Sequence, residues 1–173
     1  MKTILVTGPI GSGKSAVCRY LASLDFPVYD CDSRTKMLYS LVPGLKCSIE
    51  ERLGLEWSQI GTVFADPDKL LTLEEMVYPH VVEDIRSWRS AQTAPLVFVE
   101  SAIALSKPLF DGLWDEVLLV TAPKDLRLQR NPKVAERDAL QTFDPERIGH
   151  TLVNEGTLEE LSFKIRQLIC KLI

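Results

Sequence analysis

The sequence predicts an α/β fold built on a five-stranded parallel sheet flanked by helices. Three observations carry that expectation. Short apolar runs alternate with segments of helical period, the arrangement that places helices on both faces of a parallel sheet. The runs are continuously apolar, as expected of strands covered on both faces. The first of them, Thr3-Ile4-Leu5-Val6, leads into GPIGSGKS at Gly8 to Ser15, a match to G-x-x-x-x-G-K-[ST].

The elements follow in order. After the strand Thr3 to Val6 and the glycine-rich loop, a helix is expected from about Lys14 to Leu24, with Val17, Tyr20, Leu21 and Leu24 on one face. Pro27 to Tyr29 reads as a second strand ending at Asp30-Cys31-Asp32. A helix from about Ser33 to Tyr39 follows, capped by Asp32 or Ser33, and Pro43-Gly44 stops it. The stretch from about Leu45 to Gln92 reads as helical. Asp66-Pro67 opens one helix there, and Pro79 is expected to separate it from a second, His80 to Gln92. Leu96 to Val99 and Glu116 to Val120 are the third and fourth strands. Helical residues Lys124 to Arg130 come next, then a polar stretch, Asn131 to Asp144. A fifth strand lies around Thr151 to Val153, and Thr157 caps a last helix. Its buried face is expected to hold Leu158, Leu161, Ile165, Leu168, Ile169 and Leu172.

Composition narrows the function. A chain of 173 residues suffices for a single domain with a full core. A net charge of −4 supplies no basic field for gripping a nucleic-acid backbone, so no nucleic-acid partner is expected. No run approaches the ~20 apolar residues of a membrane span, and the opening run is too short for a signal peptide. Cys18, Cys31, Cys47 and Cys170 form no C-x-x-C pair and have no histidine at ligand spacing, which suits a reducing cytoplasm. Cys31 reads as a small buried side chain, its thiol pKa raised by the flanking aspartates. His80 and His150 stand apart without metal or triad spacing, and Trp57, Trp88 and Trp114 read as core.

The loop carries the chemistry. Gly8-Pro9-Ile10-Gly11-Ser12-Gly13-Lys14-Ser15-Ala16 can curl its backbone N–H groups around phosphate oxygens. Lys14 reaches the β and γ phosphates, and Ser15 offers a hydroxyl to Mg²⁺. The helix that follows adds its N-terminal partial positive charge. Four fixed positions arise by chance in under about 1 in 100 chains of this length, so a P-loop NTPase fold binding a nucleoside triphosphate is the expectation. Ligands of open parallel sheets sit beyond the carboxyl ends of the strands. That places Asp30, Asp32 and Glu100 opposite the loop, as phosphoryl transfer requires.

The D-x-D spacing in an extended segment puts Asp30 and Asp32 on one side. On chain position alone, Asp32 reads equally as a catalytic acid and as a helix cap. Glu100 is read as a Mg²⁺ or water ligand ahead of an ion-pair partner. Arg127, Arg130, Lys133 and Arg137 are singly a solvated helical face, paired to Asp125 or Glu136. Together they can supply charge to a migrating phosphoryl group.

With these residues in view, the chain resembles the dephospho-CoA kinase family, P-loop kinases that phosphorylate the ribose 3′-hydroxyl of dephospho-CoA with ATP. GPIGSGKS is similar to the family's GGIGSGKS, and PVYDCD to its P-V-hydrophobic-D-A-D. VFADPDKLLTLEEMVYP is similar to V-F-x-D…L-E-x-I-x-H-P, and FVESAIAL, EVLLVTAPKDLRLQR and VNEG occupy the places of later family segments. Tyr78 stands where the family has histidine, Ser106 where it has an acid, and the region between Arg130 and Asn154 is shorter than the usual lid. Arg137-Asp138 can match the family's R-D pair, or Gln141 and Arg147 can match later positions.

The resemblance implies that Asp32 handles the acceptor proton while Lys14 and Arg130, helped by Arg137, stabilise the transferring group. It implies that Gly8 to Ala16 and Asn154 bind ATP, Asn154 near the base. Asp30, Tyr78 and Glu100 would bind the acceptor, and Ser15 and Glu100 the Mg²⁺. A helical acceptor-binding region at residues 57–92 and a reduced lid at 127–147 complete a single kinase domain, with a monomer favoured. The residues alone support phosphoryl transfer from ATP to a small acceptor; the resemblance names the acceptor. A kinase for another small molecule or nucleotide, or an impaired nucleotide-binding regulator, remain as alternatives.

Overall fold

Five strands, β1 (Lys2–Thr7), β2 (Val28–Asp30), β3 (Leu96–Glu100), β4 (Glu116–Thr121) and β5 (His150–Val153), form one parallel sheet in the order β2-β3-β1-β4-β5. The computed structural model describes residues 1–137 and 142–173, with the side chains of Glu136 and Arg137 outside that description. Alternate residues of the strands feed two cores. Ile4, Val6, Phe98, Leu118, Val120 and Leu152 point to the face covered by α1 (Lys14–Ser23) and α7 (Leu158–Leu172). Leu5, Tyr29, Val99 and Val117 point to the other face. There α2 (Cys31–Leu41), α3 (Leu45–Leu53), a 3₁₀ segment (Trp57–Ala65) and α4 (Pro67–Ser90) contribute Leu38, Ile49, Val63, Val77 and Ile85. Double coverage is why the strands read as unbroken apolar runs. Trp57, Trp88 and Trp114 pack half-buried against this second core, as expected. Two short helices, α5 (Lys124–Arg130) and α6 (Val134–Arg137), follow β4.

Three local expectations are corrected. Pro79 does not divide two helices: α4 runs unbroken for 24 residues. Pro79 and Glu75, whose carbonyl loses its usual i+4 donor, are both exposed, while Leu73, Val77, Val81, Val82 and Ile85 hold the inner face against the core. The cap of α2 is Asp30, whose carboxylate accepts from the backbone N–H groups of Asp32 and Ser33, and the helix starts at Cys31. Asp32 therefore stands in a first turn rather than on an extended strand with Asp30. Leu158 is 74 % exposed, whereas Leu161, Ile165, Ile169 and Leu172 are buried. The α7 cap is as expected: Thr157 accepts from the Glu160 N–H, and Glu160 accepts from the Thr157 N–H.

At the amino ends of the strands, far from the loop, Glu116 joins β1, β4 and β5. It accepts Lys2 Nζ at 2.6 Å and meets His150 Nε2 at 2.6 Å. Hydrogen bonds from Lys2 and then His150 hold its carboxyl below the ordinary glutamate value of 4.5. A depressed folded-state value stabilises the fold above the unfolded value, and that gain is lost as pH falls through the folded one. Glu116→Gln is therefore expected to flatten the decline of melting temperature between about pH 6 and pH 3. Parallel melting curves for wild type and variant across that range would overturn the assignment.

Candidate active site

The sheet register brings the chain exits level. Val6 lies opposite Glu100, and Asp30 lies opposite Glu100 on the other side of β3. Just above these ends, the Gly8–Gly13 loop turns into α1 beside a cleft of about 470 Å³. Gly13 adopts φ 97° as it caps α1, and a Cβ there would strike the Asn154 amide. Gly8, at φ 147°, lies so close to the Val120 carbonyl that a side chain has no room. Glycine is required at both places by backbone conformation and by contact.

Lys14 Nζ donates to the loop's own carbonyls, Gly8 O at 2.8 Å and Pro9 O at 3.2 Å. Burial lowers its pKa, and the nearby charges of Glu100 and Asp32 raise it against that trend. Ser15 Oγ donates to Glu100 Oε1 at 2.9 Å. Burial pushes the Glu100 carboxyl above the ordinary carboxylate range and the Asp30 charge adds to the rise, while the Ser15 hydroxyl opposes it. Asp30 and Asp32 both line the cleft, with different duties. Asp30 also accepts from Ser33 Oγ at 2.8 Å, so its oxygens are committed to the α2 cap. Asp32 is exposed, and none of the described residues hydrogen-bonds its carboxylate.

On the opposite side of the loop, Arg130 Nη1 donates to Gly11 O at 3.4 Å, and both Nη atoms donate to Asn154 O at 3.3 Å. Asn154 is buried, and its Nδ2 donates to Ser12 O at 2.8 Å. The structure thus brings Lys14, Ser15, Asp30, Asp32, Glu100 and Arg130 to one cleft. Tyr78 lies outside its lining, its hydroxyl donating to Glu74 Oε1 at 2.8 Å and its ring edge-on to Phe110. Glu74 also pairs with Lys107. Arg147 turns elsewhere, to Leu105 O and Asp111, and Asp138 and Gln141 lie outside the described residues, as does the Arg137 side chain.

One cleft residue escaped the sequence reading, and one cation that it named lies elsewhere than expected. Arg19 lines the cleft one helical turn beyond Ser15, and the i, i+4 spacing on α1 was a signal available to find it. Arg127 is no solvated lid residue: it is 8 % exposed, its Nε donates to Ala122 O at 3.1 Å, and its backbone backs Gly11. Only the fold could reveal that contact. Asp32 is held from behind through α2: Arg34 grips Asp84 of α4 with Nε at 2.8 Å and Nη2 at 2.6 Å, and the Tyr29 hydroxyl joins the same carboxylate. Cys31 is buried and its thiol is pushed up to about 12, chiefly by burial with the Asp32 and Asp30 charges adding, so it is inert as expected.

A phosphate-binding loop at the switch of a parallel sheet, faced by a carboxylate without a partner among the described residues and by a guanidinium, defines a P-loop kinase. Comparison with known proteins gives the family. The dephospho-CoA kinase family model matches residues 2–158. The dephospho-CoA kinase of Porphyromonas gingivalis is 37% identical over 139 residues, covering 75% of this chain and 68% of that protein. That of Thermus thermophilus is 31% identical over 186 residues, covering 96% and 90%. The crystal structure of TT1252 from Thermus thermophilus superposes with a TM-score of 0.81 at 29% identity, covering 99% of this chain and 98% of that one. The chain belongs to the dephospho-CoA kinase family.

Proposed function

We propose that the protein transfers the γ-phosphoryl group of ATP to the ribose 3′-hydroxyl of dephospho-CoA, giving coenzyme A and ADP. The observation that carries this reading is the Asp32 carboxylate, exposed and with no hydrogen-bond partner among the described residues, in the cleft that holds Lys14. Asp32 accepts the hydroxyl proton as the oxygen attacks the γ-phosphorus, and the bond to the β,γ-bridging oxygen breaks, leaving ADP. Lys14 follows the β and γ oxygens, and Arg130, helped by Arg137, stabilises charge on the group in flight. Gly8 to Ala16 and Asn154 form the ATP half. Asp30 fixes the turn that aims Asp32, and with Glu100 and the Tyr78 region it forms the acceptor half.

Magnesium fits this site. Mg²⁺ takes one or two carboxylates beside phosphate oxygens and waters. The Ser15 hydroxyl and the Glu100 carboxylate, joined at 2.9 Å, are oxygen donors of that kind beside the loop. Bound by those two residues, the ion supplies charge neutralisation on the phosphates. Residues 57–92 are assigned to acceptor binding and 127–147 to a reduced lid. Four free thiols support a cytoplasmic location, and we assign a monomer. Among the described residues no helix is long and apolar enough to cross a membrane.

The test is an ADP-release assay with dephospho-CoA beside a panel of nucleoside monophosphates. ADP release dependent on dephospho-CoA, with 3′-phosphorylated product, is expected. Turnover on nucleotides without turnover on dephospho-CoA would overturn the assigned acceptor.

A further inference from the structure

Asn154 sits just beyond β5 with its two ends engaged in different tasks. Its side-chain amide is buried and donates to the carbonyl of Ser12, inside the phosphate-binding loop. Its backbone N–H donates to Thr121 O at 2.7 Å, tying it to the end of β4. Its carbonyl receives both terminal nitrogens of Arg130, one of which also reaches Gly11 O. Gly13 must lack a side chain because the Asn154 amide occupies that space. The loop, the end of the sheet and the guanidinium therefore meet at one residue.

We propose that Asn154 is a positioning residue that sets the curvature of the phosphate-binding loop through Ser12 and the place of Arg130 through its own carbonyl, acting on the phosphate chain of the nucleotide rather than on the base. Loop N–H groups can converge on phosphate oxygens only while the intervening carbonyls point away from them. The carbonyl of Ser12 is the one drawn outward by the Asn154 amide. A buried carbonyl that loses its donor is costly, and the loop would turn to seek another. The effect of losing the amide should thus fall on every ligand that carries the phosphate chain, whatever base it bears. This rests on the reading that the loop binds a triphosphate.

The experiment compares Asn154→Ala with wild type in titrations of ATP, GTP and inorganic tripolyphosphate, with melting temperature measured alongside. About a tenfold loss of affinity, shared by all three ligands at a melting temperature that still gives folded protein, is expected. ATP weakened with tripolyphosphate unchanged would make Asn154 a base contact and overturn the proposal, as would no change in any of the three. A wild-type protein that bound none of them would instead overturn the reading of the loop. If the variant does not fold, side-chain amide exchange in the wild-type protein decides. The Asn154 Nδ2 protons should be protected without ligand and remain so with tripolyphosphate. Rapid exchange without ligand, or protection gained only with ATP, would overturn the proposal.

Discussion

Lys14→Ala is expected to lower turnover with ATP and dephospho-CoA by on the order of 10³-fold or more while leaving the fold intact. The ammonium lies at the head of α1, held by the carbonyls of Gly8 and Pro9, with the loop's backbone around it. On the mechanism we propose, the charge serves the leaving and migrating oxygens together, which is why so large a loss is expected from truncation. Lys14→Arg is not expected to rescue, since a planar fork does not fit where a compact ammonium sits between two backbone oxygens. Burial lowers the Lys14 pKa, and Glu100 and Asp32 sustain its charged form. Melting temperatures close to wild type would show that the loss is chemical. Wild-type turnover in Lys14→Ala would remove the loop from the mechanism.

Asp32→Asn is expected to cost about 10²–10⁴-fold in turnover with little change in ATP affinity. The substitution keeps size and most hydrogen-bonding capacity but removes the proton acceptor and its charge. The structure sharpens the test, because the cap that Asp32 was a candidate for belongs to Asp30. Loss in Asp32→Asn therefore has no helix-capping explanation. Asp30→Asn provides the contrast: asparagine caps about as well as aspartate, so α2 should keep its start and the decline should be smaller. Near-normal turnover in Asp32→Asn with dephospho-CoA would release Asp32 from the reaction and leave Glu100 as the carboxylate to test.

Most of what positions this site is legible in local sequence. The strand–loop–helix beginning at Thr3 is specified by an apolar run, the required glycines and the helix formers after Lys14, all within one short stretch. The strand ends that carry Asp30 and Glu100 are legible for the same reason, since their apolar runs end abruptly in a carboxylate. Two of the misread features, Pro79 and Arg127, depend on contacts distant in sequence. Pro79 reads as a break from its own chemistry, and only the buried row from Leu73 to Ile85 keeps α4 whole. Arg127 reads as a surface cation until it is seen beneath Gly11, across more than a hundred residues of chain. Asp32 or Ser33 reads as the cap in sequence, and it is the start of α2 at Cys31, two residues earlier than expected, that gives the cap to Asp30.

The unbroken α4 also bears on how the acceptor half we propose would move. A helix of 24 residues is a rod of about 36 Å, and with no hinge at Pro79 it responds to a load near one end by tilting as a whole. Asp84 lies well along that rod and is gripped by Arg34, two residues beyond Asp32 on α2. That contact ties α4 to the helix that carries Asp32. On the assignments we propose for residues 57–92 and Asp32, filling of the acceptor side and the aim of the acid would be one event, and a ligand too short to press on α4 would be expected to leave Asp32 unaimed even with ATP in place.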